Sequence, residues 1–287
     1  MISIRKNAFG SFLKLNRGAQ LGLVIVFIFT FIGIFSPLIA PFRFDQIFSE
    51  ALKSPAFWQE GAKAGHWLGT DDLGRDLLTR LIFGARISMG IGFFVVLFSL
   101  FWGVLLGLVA GSLGGWVDQV LSRFIDILMA LPSMLMAIVV ISILGPSLAN
   151  TVIAVGIVAI PPFFRLVRSA VLVEMNKNYV TACRSFGANW WRLAVINVLP
   201  NCGAPIIVQA SLGFSEGILN AAALGFLGLG AQPPLPEWGT MLSDARSYIE
   251  SSPMMVTLPG LCILIVVVGF NLIGDSLRDS LDPRLRR

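Results

Sequence analysis

Six apolar stretches, at about residues 19–40, 88–111, 124–145, 148–171, 204–230 and 254–274, occupy most of this 287-residue chain. Each is close to or above the roughly 20 residues a helix needs to cross a hydrocarbon layer about 30 Å thick. Backbone polar groups in lipid must be satisfied within the segment, so the stretches read as helices and not as isolated strands. Charged residues make up only 13% of the sequence and hydrophobic ones 56%, whereas a soluble domain carries about a quarter charged residues. No large soluble domain fits. The expected fold class is an all-α membrane protein with about six transmembrane helices.

Charge fixes the orientation. The excess of 21 Lys and Arg over 16 Asp and Glu is spread over tails and loops, without the basic run that marks a nucleic-acid surface. Arg5, Lys6, Lys14 and Arg17 precede the first stretch, and Arg278, Arg284, Arg286 and Arg287 follow the last. Arg165, Arg168, Lys177, Arg184 and Arg192 surround the fourth connection against a lone Glu174. The positive-inside rule therefore places both tails and the 172–203 segment in the cytoplasm. The run from Ala19 to Ala40 exceeds the apolar core of a cleaved signal peptide and reads as a retained anchor.

The expected organisation is a cytoplasmic tail at 1–18, a first transmembrane helix at 19–40 and an outer connection at 41–87 with an amphipathic segment. A core at 88–275 follows, with five transmembrane helices and the long loop 172–203, and then a cytoplasmic tail at 276–287. Gly and Pro inside the stretches suit packed membrane helices. Gly103-Val-Leu-Leu-Gly107 matches G-x-x-x-G and reads first as close helix packing.

Several chemistries are disfavoured. Cys183, Cys202 and Cys262 are widely spaced, and His66 is the single histidine, so neither a disulfide framework nor a zinc site is supported. His66 is expected as a lone surface or interfacial side chain. Gly213-Phe-Ser-Glu-Gly217 matches the G-x-S-x-G elbow of hydrolases, but that motif needs a strand-turn-helix setting and a histidine base. No G-x-x-x-x-G-K-[ST] phosphate loop occurs. A secondary transporter would show internal repeats and more intramembrane ionisable residues, and neither is found.

The 172–203 segment, VLVEMNKNYVTACRSFGANWWRLAVINVLPNC, is long and mixed in character. Asn178 to Phe186 suits a short helix along the membrane face, with Gly187 as its stop. Trp190 and Trp191 have interfacial character, and Pro200 predicts a break before the fifth membrane helix.

This segment resembles the cytoplasmic motif of permease subunits in binding-protein-dependent importers of the ATP-binding cassette class. That motif reads E-A-A, three residues, Gly, nine residues, I-x-L-P. Here Thr181, Ala182 and Cys183 stand at its first three positions, Gly187 at the glycine, Asn197 at the isoleucine, and Leu199-Pro200 at the end. Thr181, Cys183 and Asn197 depart from the family residues. The runs HWLGTDDLGRDLLTRLIFGARIS (66–88), GGWVDQVLSRFIDILMALPS (114–133) and ALGFLGLGAQPPLPEWGTMLSDA (223–245) are similar to the peptide and nickel branch of these permeases, as is the ending NLIGDSLRDSLDPRLRR (271–287).

The resemblance implies a type I importer permease in the bacterial inner membrane. It implies a sister permease forming a heterodimer, two ATPase subunits and a periplasmic peptide-binding protein. ATP and magnesium would sit on the partner subunits, with no cofactor on this chain and no nucleic acid bound. Thr181, Ala182, Cys183, Gly187, Leu199 and Pro200 would couple to the ATPase. The implied cargo is a dipeptide or short peptide, with nickel, oligopeptides and cationic antimicrobial peptides as alternatives in the branch.

Three further sets of residues each carry two readings. Glu216 and Asn220 lie four apart on one helix face, either lining the pathway or bonding a neighbouring helix. Arg75 and Asp76, in the charged run from Asp71 to Arg80, either touch the binding protein or belong to a solvated face. Asp118, Arg123 and Asp126 read first as a structural ion pair or cap.

Overall fold

The computed structural model describes residues 17–281, which are helical apart from loops and one isolated antiparallel bridge, Thr70 with Asp76. The basic tail residues Arg5, Lys6, Lys14, Arg284, Arg286 and Arg287 lie outside the described residues. The helices are α1 (Arg17–Ile34), α2 (Ser36–Ile39), α3 (Leu77–Leu113), α4 (Gly115–Ala130), α5 (Ser133–Leu144), α6 (Leu148–Met175), α7 (Asn178–Ser185), α8 (Gly203–Phe226), α9 (Trp238–Ala245) and α10 (Met254–Leu281). Four of these, α1, α3, α6 and α10, are each long and apolar enough to cross a membrane, as is the continuous helical path Arg192–Phe226 that contains α8.

The stretch 124–145, expected as one span, is broken. Between α4 and α5 the chain bends by 93°. Leu131 precedes Pro132 and is extended, with φ −95° and ψ 143°, because a proline ring disfavours helical geometry in the residue before it. At 12 residues α5 spans about 18 Å, too short to cross alone. Pro161 and Pro162 do not interrupt α6. Gly103 and Gly107 of α3 pack closely against this part of α6, and packed membrane helices tolerate internal prolines.

Helix α3 also departs from expectation. It begins at Leu77, so residues 77–87 are its first turns and not part of a loop. Asp76 starts it, its carboxylate accepting the Thr79 backbone N–H at 2.8 Å. With 37 residues it is about 55 Å long and reaches beyond a bilayer core at one end or both.

Glycines set the main seam. Gly103, Gly107 and Gly111 recur every fourth residue along α3 and meet α6. A Cβ on Gly103 would lie 2.3 Å from Phe163 Cβ, and one on Gly111 would lie 2.9 Å from Val171 Cβ. The G-x-x-x-G match thus serves packing within one chain. Around the seam Phe163, Phe164, Val167 and Val171 are fully or almost fully buried.

At the N-terminal end of α3 the chain builds a cap from residues 41–76 and α9. Ser54 and Thr70 exchange backbone and side-chain bonds, Phe48 N–H donates to the Gly74 carbonyl, and Leu77 N–H donates to that of Gly69. Trp238 of α9 is completely buried over Gly84 of α3, where a Cβ would come within 2.6 Å of the indole. Its Nε1–H donates to the Leu81 carbonyl at 3.3 Å, and Phe29 of α1 meets the ring edge-on at 5.8 Å. One aromatic side chain therefore joins three helices.

Candidate functional site

The 172–203 segment lies at the opposite end of α3 from the cap, fastened there by Trp190, whose Nε1–H donates to Ser112 Oγ at 2.9 Å. Helix α7 covers Asn178–Ser185 and Gly187 follows with φ +79°, a left-handed conformation that glycine adopts without a Cβ penalty. One side of α7 is anchored. Val180 is buried with Leu193, Ala194, Val198 and Cys202 beneath it. Tyr179 OH donates to Glu174 Oε1 at 2.8 Å, Asn201 Nδ2 donates to Tyr179 OH at 3.2 Å, and Lys177 pairs with Glu174 at 2.6 Å. Glu174, a lone acid in the sequence, is the buried hub of this end.

The other side of α7 is bare. Thr181, Ala182 and Gly187 are exposed, whereas Cys183 is half-buried against the anchored cluster, in reach of Asn197 Nδ2 at 3.8 Å. Leu199 is half-buried and Pro200 exposed. Phe186, which sequence reasoning passed over, is 91% exposed at the tip. Its signal was present as an aromatic residue directly before the stop glycine.

Pro200 does not break the chain, contrary to expectation. Arg192–Val198 forms a π-helical run and Leu199–Cys202 a 3₁₀ turn, and both lead into α8. Proline takes the first turn of the tighter helix, where its missing N–H is not needed. A π segment in this position is a departure from regular helix of the type found at functional sites.

Two ion pairs join α4 to α6. Asp118 is gripped by Arg168, with one bond of 2.6 Å from Nη2, and Asp126 accepts from Arg165 at 2.9 Å. Both bind helices of one chain, as the structural reading of Asp118 and Asp126 has it. Arg123 is exposed and has no part in them.

In the cap, the charged run is turned inward. Arg75 and Asp76 are 5% and 2% exposed. Arg75 Nε donates to Asp71 Oδ2 at 2.6 Å, and Asp76 pairs with His66 Nδ1 at 2.9 Å. Neither the binding-protein contact nor the solvated face expected for Arg75 and Asp76 suits side chains that the cap encloses. His66, expected at the surface, is buried between Phe42 and Phe48. The physical reason is local pairing: Asp71 with Arg75 and Asp76 with His66 meet within the cap and leave water.

Glu237 caps α9, accepting from Gly239 N–H at 2.7 Å and Thr240 N–H at 2.9 Å. Burial pushes its carboxyl up to about 7, against the lowering pull of those two backbone bonds. Glu216 is exposed on α8 and Asn220 beside it is half-buried. Ser215, the serine of the hydrolase-like match, is buried with its hydroxyl directed to the Val267 carbonyl at 3.3 Å. The histidine is committed to Asp76, so no base serves it. Among the described residues no cluster of three metal-ligating side chains occurs.

The chain is thus a multi-pass helical bundle with one anchored, half-bare helix, α7, at the end opposite the cap. Residues 103–287 match the family of binding-protein-dependent transport system inner membrane components, and residues 8–55 match the N-terminal membrane domain of oligopeptide transport permease C. The chain belongs to this family, and is accordingly a non-catalytic permease component of a binding-protein-dependent transport system in the inner membrane. It is 53% identical to the di/tripeptide transport system permease protein DppC of Pseudomonas aeruginosa over 94% of this chain and 89% of that one. It is 55% identical to the dipeptide permease DppC of Escherichia coli over 97% and 93%. In fold it is similar to a chain of the MetNI methionine ABC transporter in an inward-facing conformation, with a TM-score of 0.58, 18% identity and coverage of 71% of this chain and 97% of that one.

Proposed function

We propose that this chain is one of two permease subunits of an ATP-driven importer that carries dipeptides or short peptides across the bacterial inner membrane. The observation that carries the cargo is identity of 53–55% along nearly the whole chain to permeases named for dipeptides and tripeptides. A sister permease completes the pathway, two ATPase subunits bind ATP and magnesium, and a periplasmic protein delivers the peptide. Both termini face the cytoplasm, in keeping with their basic residues.

The bare side of α7 is the ATPase-docking surface in this reading. Thr181, Ala182, Cys183 and Gly187 line its contact, Phe186 inserts, and Leu199 and Pro200 support the return to α8. Closure of the ATPase pair pulls α7, and the Tyr179–Glu174 bond and the Val180 packing pass that displacement to α6 and α8. A ligand-driven shift needs different interaction energies in the two states, and a bare aromatic side chain that gains a pocket supplies one. Glu216 and Asn220 line the pathway from α8, because a carboxylate on a membrane helix needs an aqueous cavity or a polar partner.

The test is isolation of the tagged chain from native membranes in mild detergent, with identification of everything retained. A second permease and ATPase subunits are expected, and replacement of Ala182 and Gly187 by bulky residues should release the ATPases. A chain that purifies alone and moves dipeptide into vesicles without ATP overturns the reading.

A further inference from the structure

An open cavity of about 170 Å³ lies beside the cap, between the first turns of α3, the end of α8, the loop after it and α9. Arg80, Gln232, Thr240, Ser243 and Asp244 supply its polar lining. Arg80 is 3% exposed, yet its guanidinium is held only loosely. Nη1 donates to the Phe44 and Pro234 carbonyls at 3.5 and 3.4 Å, and Nε lies 3.5 Å from Asp71 Oδ2. Asp71 is already engaged at 2.6 Å by Arg75. A guanidinium has five N–H donors, so donor capacity is left over at the cavity wall.

Asp244 reaches the same space from α9. Its one ion pair is a long one, 3.7 Å to Arg75 Nη2, and its side chain is 40% exposed. Gln232 donates its amide N–H to the Gly228 and Gly230 carbonyls, which leaves its oxygen free to accept. Thr240 donates its hydroxyl to the Glu237 carbonyl, which leaves its lone pairs. The lining therefore offers a cation and an anion from two elements, with neutral acceptors between charged ends.

Size and charge narrow the ligand. The space is far above the about 10–15 Å³ that one ordered water requires and below the about 300 Å³ of a pocket for drug-sized molecules. An inorganic anion would meet Asp244, and a metal ion would meet Arg80. A molecule with both charges satisfies both walls. We propose that this cavity binds a small zwitterion of one or two amino-acid residues, its carboxylate on Arg80 and its ammonium on Asp244. As a subsite for the carried peptide this rests on the importer reading above, whereas binding itself does not.

The experiment uses the purified complex of this chain with its partner subunits, without the binding protein. Ser243→Cys is labelled with a maleimide in the presence of diglycine, N-acetyl-diglycine or diglycine amide, with the unsubstituted chain correcting for the native cysteines. Diglycine should slow labelling and the two blocked analogues should not. Asp244→Asn, at a half-exposed site that tolerates the change, should raise the half-protecting concentration about tenfold or more, the loss typical of a charged hydrogen bond. Arg80→Lys should raise it too, since an ammonium cannot grip a carboxylate in two places. Protection by free glycine but not by diglycine would identify an amino-acid site separate from the cargo. Equal protection by the blocked analogues, or none by any probe, overturns the proposal. Binding-protein stimulation of ATP hydrolysis in the same preparation reports on the importer reading independently.

Discussion

Tyr179 and Glu174 share a 2.8 Å hydrogen bond that ties helix α7 to the buried Glu174 in the last turn of α6. It is a direct polar link from the anchored side of α7 into the bundle. Lys177 neutralises the carboxylate from the other side at 2.6 Å, so the hub carries little net charge.

Tyr179→Phe should leave the fold intact, at a cost of about 1–2 kcal/mol, while uptake falls severalfold and ATP hydrolysis by the complex continues. Burial, then the bond to Glu174, pushes the Tyr179 hydroxyl up to about 12. The folded state thus holds this proton more tightly than the unfolded state does, and the contribution is lost only as pH rises from about 10 towards 12. The part of coupling (peptide moved per ATP) that depends on Tyr179 should therefore be flat from about pH 6 to 9. A steep change there that Tyr179→Phe abolishes would contradict the assignment.

Phe186 sits 91% exposed, so Phe186→Ala should change stability by no more than about 0.5 kcal/mol. Retention of the ATPase subunits in a pull-down should nevertheless fall about tenfold or more, as for a buried aromatic anchor worth about 2 kcal/mol. Unchanged retention would remove Phe186 from the docking surface.

Glu216 tests the pathway. Glu216→Gln should lower peptide uptake while the complex assembles normally, because the amide keeps the shape and loses the charge. Uptake and assembly both unchanged would show that the carboxylate does not line the route.

Glu237 makes the cap sensitive to acid in an unusual direction. Its folded value is raised to about 7 from an ordinary 4.5, so the folded state binds the proton more tightly. The stabilisation is full below about 4.5 and is lost as pH rises through about 7. Maleimide labelling of Trp238→Cys would disturb the cap itself, so Leu235→Cys is the better reporter. Relative to a free thiol at the same pH, its labelling should accelerate between about pH 5 and 8, by at most the factor that the shift from 4.5 to about 7 permits, and Glu237→Gln should flatten that relative profile.

Five of the six expected spans and the α7 segment were legible because both depend on local rules. Runs of apolar residues must become helices in lipid, and Asn178–Phe186 followed by Gly187 spells a short helix and its stop. Prolines were less legible because their effect depends on what packs around them. Pro132 breaks a span, Pro161 and Pro162 are absorbed, and Pro200 joins a tighter turn. The charged run from Asp71 to Arg80 was misleading for a similar reason. Alternating charges look solvated in a sequence, and only the fold brings His66 to Asp76 and Asp244 to Arg75. Phe186 stands between Arg184-Ser185 and Gly187-Ala188, and only its exposure in the fold singles it out.

Helix α3 carries the cap at one end, through Gly84 and Trp238, and meets Trp190 at the other through Ser112. At about 55 Å it is a connecting rod with both fittings attached. A tilt of about 5° at one fitting swings the other by roughly 5 Å, on the length set by the helical rise. No chain of switching side chains is then needed to carry a stroke across the membrane. The α3–α6 glycine seam makes the rod double, and a double rod bends less than either helix alone.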